Sequence, residues 1–227
     1  MATGTKRSPY ILNCLPSPKP ENNWTLATAA AAGLTSAISA KAGAAAAAAG
    51  IDLRAAWWAV GDQGNTGSCV GWGTADSVLR GHFVKAGRLG KTGRLSVRYV
   101  WMASKETDPY TTRPTSFIES DGTWLTAALG IAQKFGVVTD KVLPFKLGGQ
   151  SQMYTGSANT FYALAAQRRI ASYFNLGRNL SAWRNWLATK GPILTRLDVD
   201  DAFMQATATK GKLDTYTANS GLGGHCV

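Results

Sequence analysis

Residues 62–87 read DQGNTGSCVGWGTADSVLRGHFVKAG. From Ser68 onward, Val70, Ala75, Val78, Leu79 and Phe83 recur at three- and four-residue spacing, the pattern of a helix with one buried face. Gly87 stands where a left-handed cap ends such a helix. Cys69 therefore falls at a helix N-terminus, where the partial positive charge of the first turn favours a thiolate. Taken alone, a cysteine in this setting is more often a small buried hydrophobe than a nucleophile. The choice between the two rests on what surrounds it.

Downstream, a short helix is expected from Ser96 to about Ser104, and another after an Asp121 cap, with Leu125, Ala128, Leu129 and Ala132 as its apolar stripe and Gly136 as its stop. A polar loop rich in Gly, Ser and Gln follows Leu143-Pro144-Phe145 and reads as a passage between lobes. The second half changes character. A strand is expected at 169–174, a helix at 180–189 closed by Gly191-Pro192, and a strand at 193–199. Gly221 to Gly224 form a turn that feeds a last extended segment, His225-Cys226-Val227.

Upstream, residues 1–51 form an N-terminal arm punctuated by Pro16, Pro18 and Pro20, followed by an Ala-rich connector, and the composition changes at Ile51. No charged start followed by an apolar core marks a secretory leader. The Ala-rich stretch is interrupted by Gly33, Lys41 and Gly43 and transfers too little apolar surface to span a membrane.

The chain has 227 residues, 45% of them apolar and 10% aromatic, enough for one compact unit with a sizeable core. With 24 basic and 13 acidic residues the net charge is +11. The basic residues are scattered, only Lys6-Arg7 and Arg168-Arg169 being adjacent, so a basic nucleic-acid-associated domain is a weak alternative and no nucleic-acid partner is expected. Cys14, Cys69 and Cys226 fall in no metal-ligand spacing and are too few for a disulfide scaffold, which fits a reduced, cytoplasmic setting without a metal.

Gln63, six positions before Cys69, and the Gly67-Ser68 pair directly before it resemble the active-site segment of the papain-like cysteine peptidases. GLGGHCV, residues 221–227, is similar to the family's segment around its catalytic histidine. Asp52-Leu53-Arg54 with Trp58, Leu95-Ser96, Leu143-Pro144-Phe145 and Gly191-Pro192-Ile193 resemble further family landmarks in the right order. The resemblance implies an α+β, papain-like, two-lobed fold: a helical lobe and an incomplete β-barrel-like lobe, within a peptidase domain at 52–227.

It also implies a site. Cys69 would be the nucleophile and His225 its proton partner, with the thiol lowered into a thiolate–imidazolium pair. The Gln63 side chain and the Cys69 amide would form the oxyanion hole. Glu119, Asp121, Gly122 and Cys226 are candidate substrate-binding residues, where a backbone pairs with an extended peptide or protein substrate. No cofactor is implied. The other histidine, His82, lies several turns along the same helix and is expected to be structural. The family places its histidine roughly 130–150 residues after the cysteine, so a modest insertion is implied around 148–157 or 206–220.

The sequence departs from the family at Thr66, where many members have a disulfide cysteine, at Val70, and at Cys226. No asparagine and no Asn-Ser-Trp-Gly segment follows His225; Asn219 precedes it and cannot take that role. The chain is therefore expected to be a piece of a longer product lacking the C-terminal strands. A catalytically silent papain-fold peptide-binding protein stays the main alternative.

Overall fold

The computed structural model describes residues 11–35, 50–107, 122–146 and 157–227. Helix α1, Leu26–Ala31, is capped by the Thr25 hydroxyl, which accepts from the Thr28 amide at 3.2 Å. The central helix α2 runs from Cys69 to Lys85. It is α-helical over Cys69–Gly71, π-helical over Trp72–Leu79 and α-helical again over Arg80–Lys85. Gly87 ends it with φ at 69°, the Arg88 amide reaching back to the Phe83 carbonyl and the Gly87 amide to that of Val84. That is the left-handed closure expected of a glycine there.

Helix α3, Val97–Thr107, starts at Ser96, whose hydroxyl accepts from the Tyr99 amide and donates to the Leu143 carbonyl at 2.7 Å. Helix α4 is Leu125–Lys134. Its N-cap is Trp124, with no side-chain cap bond, in place of the expected Asp121, which lies outside the described residues. Val70, Leu79 and Phe83 of α2 pack with Tyr99 and Val100 of α3 and Ala128 and Ile131 of α4 in one continuous core. Each fully buried aliphatic or Phe side chain contributes roughly 1.5–3 kcal/mol relative to exposure. A Cβ added at Gly71 would come within 2.8 Å of the Val97 carbonyl oxygen and of the Trp101 Cβ, so α2 can lie this close to α3 only with a glycine there.

The second half is less β-rich than expected. Helix α5, Ala158–Ala166, forms just after the loop expected between lobes. The strand expected at 169–174 does not form. Its backbone groups are used elsewhere: the Ile170 amide donates to the Ala132 carbonyl, and the Arg169 carbonyl accepts from the Arg88 guanidinium, which also holds the Gln167 carbonyl just before the segment. Helix α6, Leu180–Thr189, is capped by Asn179.

The strand expected at 193–199 narrows to β1, Arg196–Asp198, and helix α7, Asp201–Met204, follows it. Strand β2, Gly224–Cys226, pairs antiparallel with β1 so that Leu197 faces His225, and reciprocal bonds between Thr195 and Val227 at 2.9 and 3.0 Å extend the ladder. Among the described residues the sheet is this two-stranded one, in place of a larger β lobe. β2 lies against α2, where a Cβ at Gly73 would come within 2.5 Å of the Cys226 sulfur. This contact brings the second half of the chain onto the start of α2.

Candidate active site

The turn before α2 is held by its own side chains. The Thr66 hydroxyl donates to the Gln63 carbonyl at 2.7 Å and shares a 2.6 Å bond with the Ser68 hydroxyl, while the Asp62 carboxylate accepts from the Gly64 amide. Gln63 Nε2 donates back to the Thr66 carbonyl at 2.9 Å. The turn thus folds the Gln63 amide toward the start of α2. Thr66 does this with hydrogen bonds.

Cys69 opens α2 and is 1% exposed. Its thiol lies in one buried cluster with Cys14 and Cys226 and lines one cavity with His225, and these are the groups that act on it electrostatically. The β1–β2 ladder sets the height of His225, and Phe203 of α7 lies against its ring with centroids 5.6 Å apart. Gln63, Cys69, Trp72, Phe203 and His225 line one open cavity of about 890 Å³. The expected catalytic and oxyanion residues are therefore brought together. His82 is turned elsewhere: its Nε2 sits 3.1 Å from the Pro192 carbonyl, and burial, helped by Lys85, lowers its pKa.

The cleft is occupied by the chain's own arm. Residues 11–15 pass between the two halves, Asn13 pairing parallel with Gly224 and Cys14 with Thr123. The Cys14 amide donates to the Gly224 carbonyl at 2.9 Å, and the Leu15 amide to the Thr123 carbonyl at 3.0 Å. Arg196 Nε donates to the Cys14 carbonyl at 2.8 Å, and Gln63 Nε2 to the Ile11 carbonyl at 3.2 Å. A Cβ at Gly122 would fall 1.6 Å from the Asn13 carbonyl oxygen, so the arm can cross there only over a glycine. Gly122 thus lies under the arm at Asn13; Glu119 and Asp121 lie outside the described residues.

Occupancy changes the electrostatics. The Cys69 thiol is pushed above its ordinary range, first by Cys14 and then by burial, while His225 and the Cys226 amide act in the opposite direction. The lowered thiol expected from a helix start and an imidazole is therefore not found: the neighbouring Cys14 thiol and burial outweigh His225 and the Cys226 amide. Cys14 is raised as well, with the Cys226 thiol as the largest cause.

Sequence reasoning missed Ile11 to Leu15 as part of the site. Their signal was a short apolar run, ILNCL, between Pro9 and Pro16, carrying one cysteine of an odd set. Among the described residues no group of three or more His, Cys, Asp or Glu is arranged to hold a metal ion, and no helix is long and apolar enough to cross a membrane.

A family model described as papain family cysteine protease matches residues 47–223, a span that includes Gln63 and Cys69 and ends just before His225. Among solved structures, the chain is similar to xylellain, a cysteine protease from Xylella fastidiosa. The TM-score is 0.71 over 100% of this chain and 81% of that chain, at 16% sequence identity, a likeness of fold. Comparison with curated protein sequences finds no match.

Proposed function

The chain belongs to the papain family of cysteine proteases, and we propose that it is a peptidase held latent by its own arm, with Cys69 as nucleophile and His225 as proton carrier. One observation carries this reading. Beside a thiol that opens a helix and lines one cavity with an imidazole, the Gln63 amide already donates to a peptide carbonyl, that of Ile11. With a substrate in the arm's place, the same donor and the Cys69 amide would face the oxyanion that develops at the scissile carbon.

The steps follow from these groups. His225 takes the Cys69 thiol proton, the sulfur attacks the peptide carbonyl carbon, and the imidazolium returns the proton to the leaving amine. A thioester remains. Water, deprotonated by His225, attacks the same carbon and releases the acid, restoring the thiol. The substrate would lie extended between Gly122-Thr123 and Gly224, where backbone groups pair with an added strand. No step calls on a cofactor. Residues 1–51 then serve as the arm and connector, and 52–227 as the peptidase domain.

A second reading, a peptide-binding protein without turnover, draws on His225. Its Nδ1 is buried without a hydrogen-bond partner, so no hydrogen bond at that nitrogen fixes the ring's tautomer. Labelling of the reduced chain with a thiol-directed peptidyl epoxide, followed by peptide mapping, tests the nucleophile. Modification concentrated at Cys69 and abolished in His225→Ala is expected. Spread over Cys14, Cys69 and Cys226 alike, it would sink the assignment. Labelling without cleavage of any peptide library would favour the silent reading.

A further inference from the structure

Three thiols from separate parts of the chain converge where the arm crosses the cleft. Cys14, Cys69 and Cys226 belong to one buried cluster, all three are free, and each is 5% exposed or less. Peptide hydrolysis uses one of them. No metal-holding arrangement exists among the described residues, so the cluster offers thiol chemistry and not coordination. The position of Cys14 is fixed from both sides: its amide is bound by Gly224, its carbonyl by Arg196, and the next amide by Thr123. In that backbone setting its side chain is 1% exposed, inside the buried cluster that holds Cys69 at the start of α2.

We propose that Cys14 is the resolving partner of Cys69: a peroxide converts the pair into a Cys14–Cys69 disulfide that ties the arm shut over the cleft until a thiol reductant opens it. The proposal rests on reading Cys69 as the reactive thiol. The Cys69 thiolate attacks the O–O bond of the peroxide, giving a sulfenic acid and hydroxide. The Cys14 sulfur then attacks the sulfenic sulfur, the S–O bond breaks, and water leaves with the Cys14 proton. Two thiols lose two electrons, and hydrogen peroxide ends as two waters once the hydroxide takes up the proton first lost by Cys69.

The order of events follows from the cleft. With the arm in place Cys69 is kept protonated, chiefly by Cys14, and a protonated thiol is a poor nucleophile. Oxidation therefore starts when the arm lifts, and the arm's return delivers Cys14 to the sulfenic acid. Without a resolving thiol, a sulfenic acid can proceed to sulfinic and sulfonic acids that thiol reductants do not reverse.

The test uses the full chain, reduced, then treated with hydrogen peroxide and digested without reductant for mass mapping. Epoxide labelling of Cys69 is followed before oxidation, after it, and after dithiothreitol. A linked Cys14–Cys69 peptide is expected in the unaltered chain and in Cys226→Ser, with labelling lost on oxidation and regained on reduction. In Cys14→Ser, labelling is lost and stays lost. A Cys14–Cys226 bond in its place, no arm cross-link, or full recovery of oxidised Cys14→Ser overturns the lock. A chain that forms the linked peptide but never labels at Cys69 when reduced keeps the lock and counts against the nucleophile assignment.

Discussion

Gln63 donates through Nε2 to the carbonyl oxygen of Ile11 at 3.2 Å, so the oxyanion donor of the proposed peptidase is engaged by the chain's own arm. Gln63→Ala removes a donor from both the arm and the transition state. Loss of one such donor costs about 100- to 1,000-fold in kcat. Peptide turnover of the reduced chain is expected to fall by that order, while alkylation of Cys69 by a small reagent, which needs no oxyanion, is retained. Equal loss of both would mean the substitution acts on the fold and not on the oxyanion.

The burial of Cys14 and Cys69 in one cluster predicts an unusual pH profile. An unperturbed thiol titrates near about 8.5, and Cys69 is raised, with Cys14 as the first cause. Thiolate is the reactive form, so iodoacetamide should modify Cys69 slowly at neutral pH and faster only at strongly alkaline pH. Cys14→Ala is expected to move the midpoint of that profile to lower pH, leaving burial against His225 and the Cys226 amide. Superimposable profiles would show that the arm thiol does not govern the nucleophile.

How much of this was legible in the sequence depends on how local each feature is. Helix α2 could be read because Val70, Leu79 and Phe83 share a period and Gly87 marks the stop, all within one segment. β2 could be read because Gly221 to Gly224 turn the chain just before it. The arm could not, since the partners of residues 11–15 are Gln63, Thr123, Arg196 and Gly224, each far away along the chain. An extended segment without internal periodicity shows its role only through such partners. The π-helical middle of α2 and the missing strand at 169–174 escaped for a related reason: hydrogen bonds chosen by tertiary packing override local propensity.

Behind the site, Asp76 is buried between two guanidiniums. Its carboxylate pairs with Arg80 at 3.3 Å, where both side chains are almost fully buried, and with the half-exposed Arg94. Arg80 also donates to the carbonyls of Trp57 and Lys91, tying the segment before α2 to the loop after it. Removing one partner of a buried pair leaves the other charge uncompensated, at a cost of about 3–5 kcal/mol. Asp76→Ala is expected to lower stability to urea by that order, and Arg94→Ala by much less because Arg94 is open to solvent. A near-neutral Asp76→Ala would mean the guanidiniums find other partners.

Asp200 caps the helix whose Phe203 lies against the His225 ring. Its carboxylate accepts from the Phe203 amide at 3.0 Å, starting α7, and from the Thr217 amide at 2.7 Å; Phe203 in turn lies against His225. These backbone hydrogen bonds hold the Asp200 pKa below its ordinary value. A carboxylate lowered on folding stabilises the native state above its unfolded pKa of about 3.9, and the contribution is lost as pH falls through the folded value. Asp200→Ala should therefore show a lower thermal midpoint than the unaltered chain at neutral pH, with the gap closing as the pH falls below that range. Asp200→Asn keeps an acceptor and should retain part of the midpoint. If α7 also sets the ring of His225, epoxide labelling at Cys69 should slow in Asp200→Ala and partly recover in Asp200→Asn; a stability loss with unchanged labelling would confine Asp200 to capping.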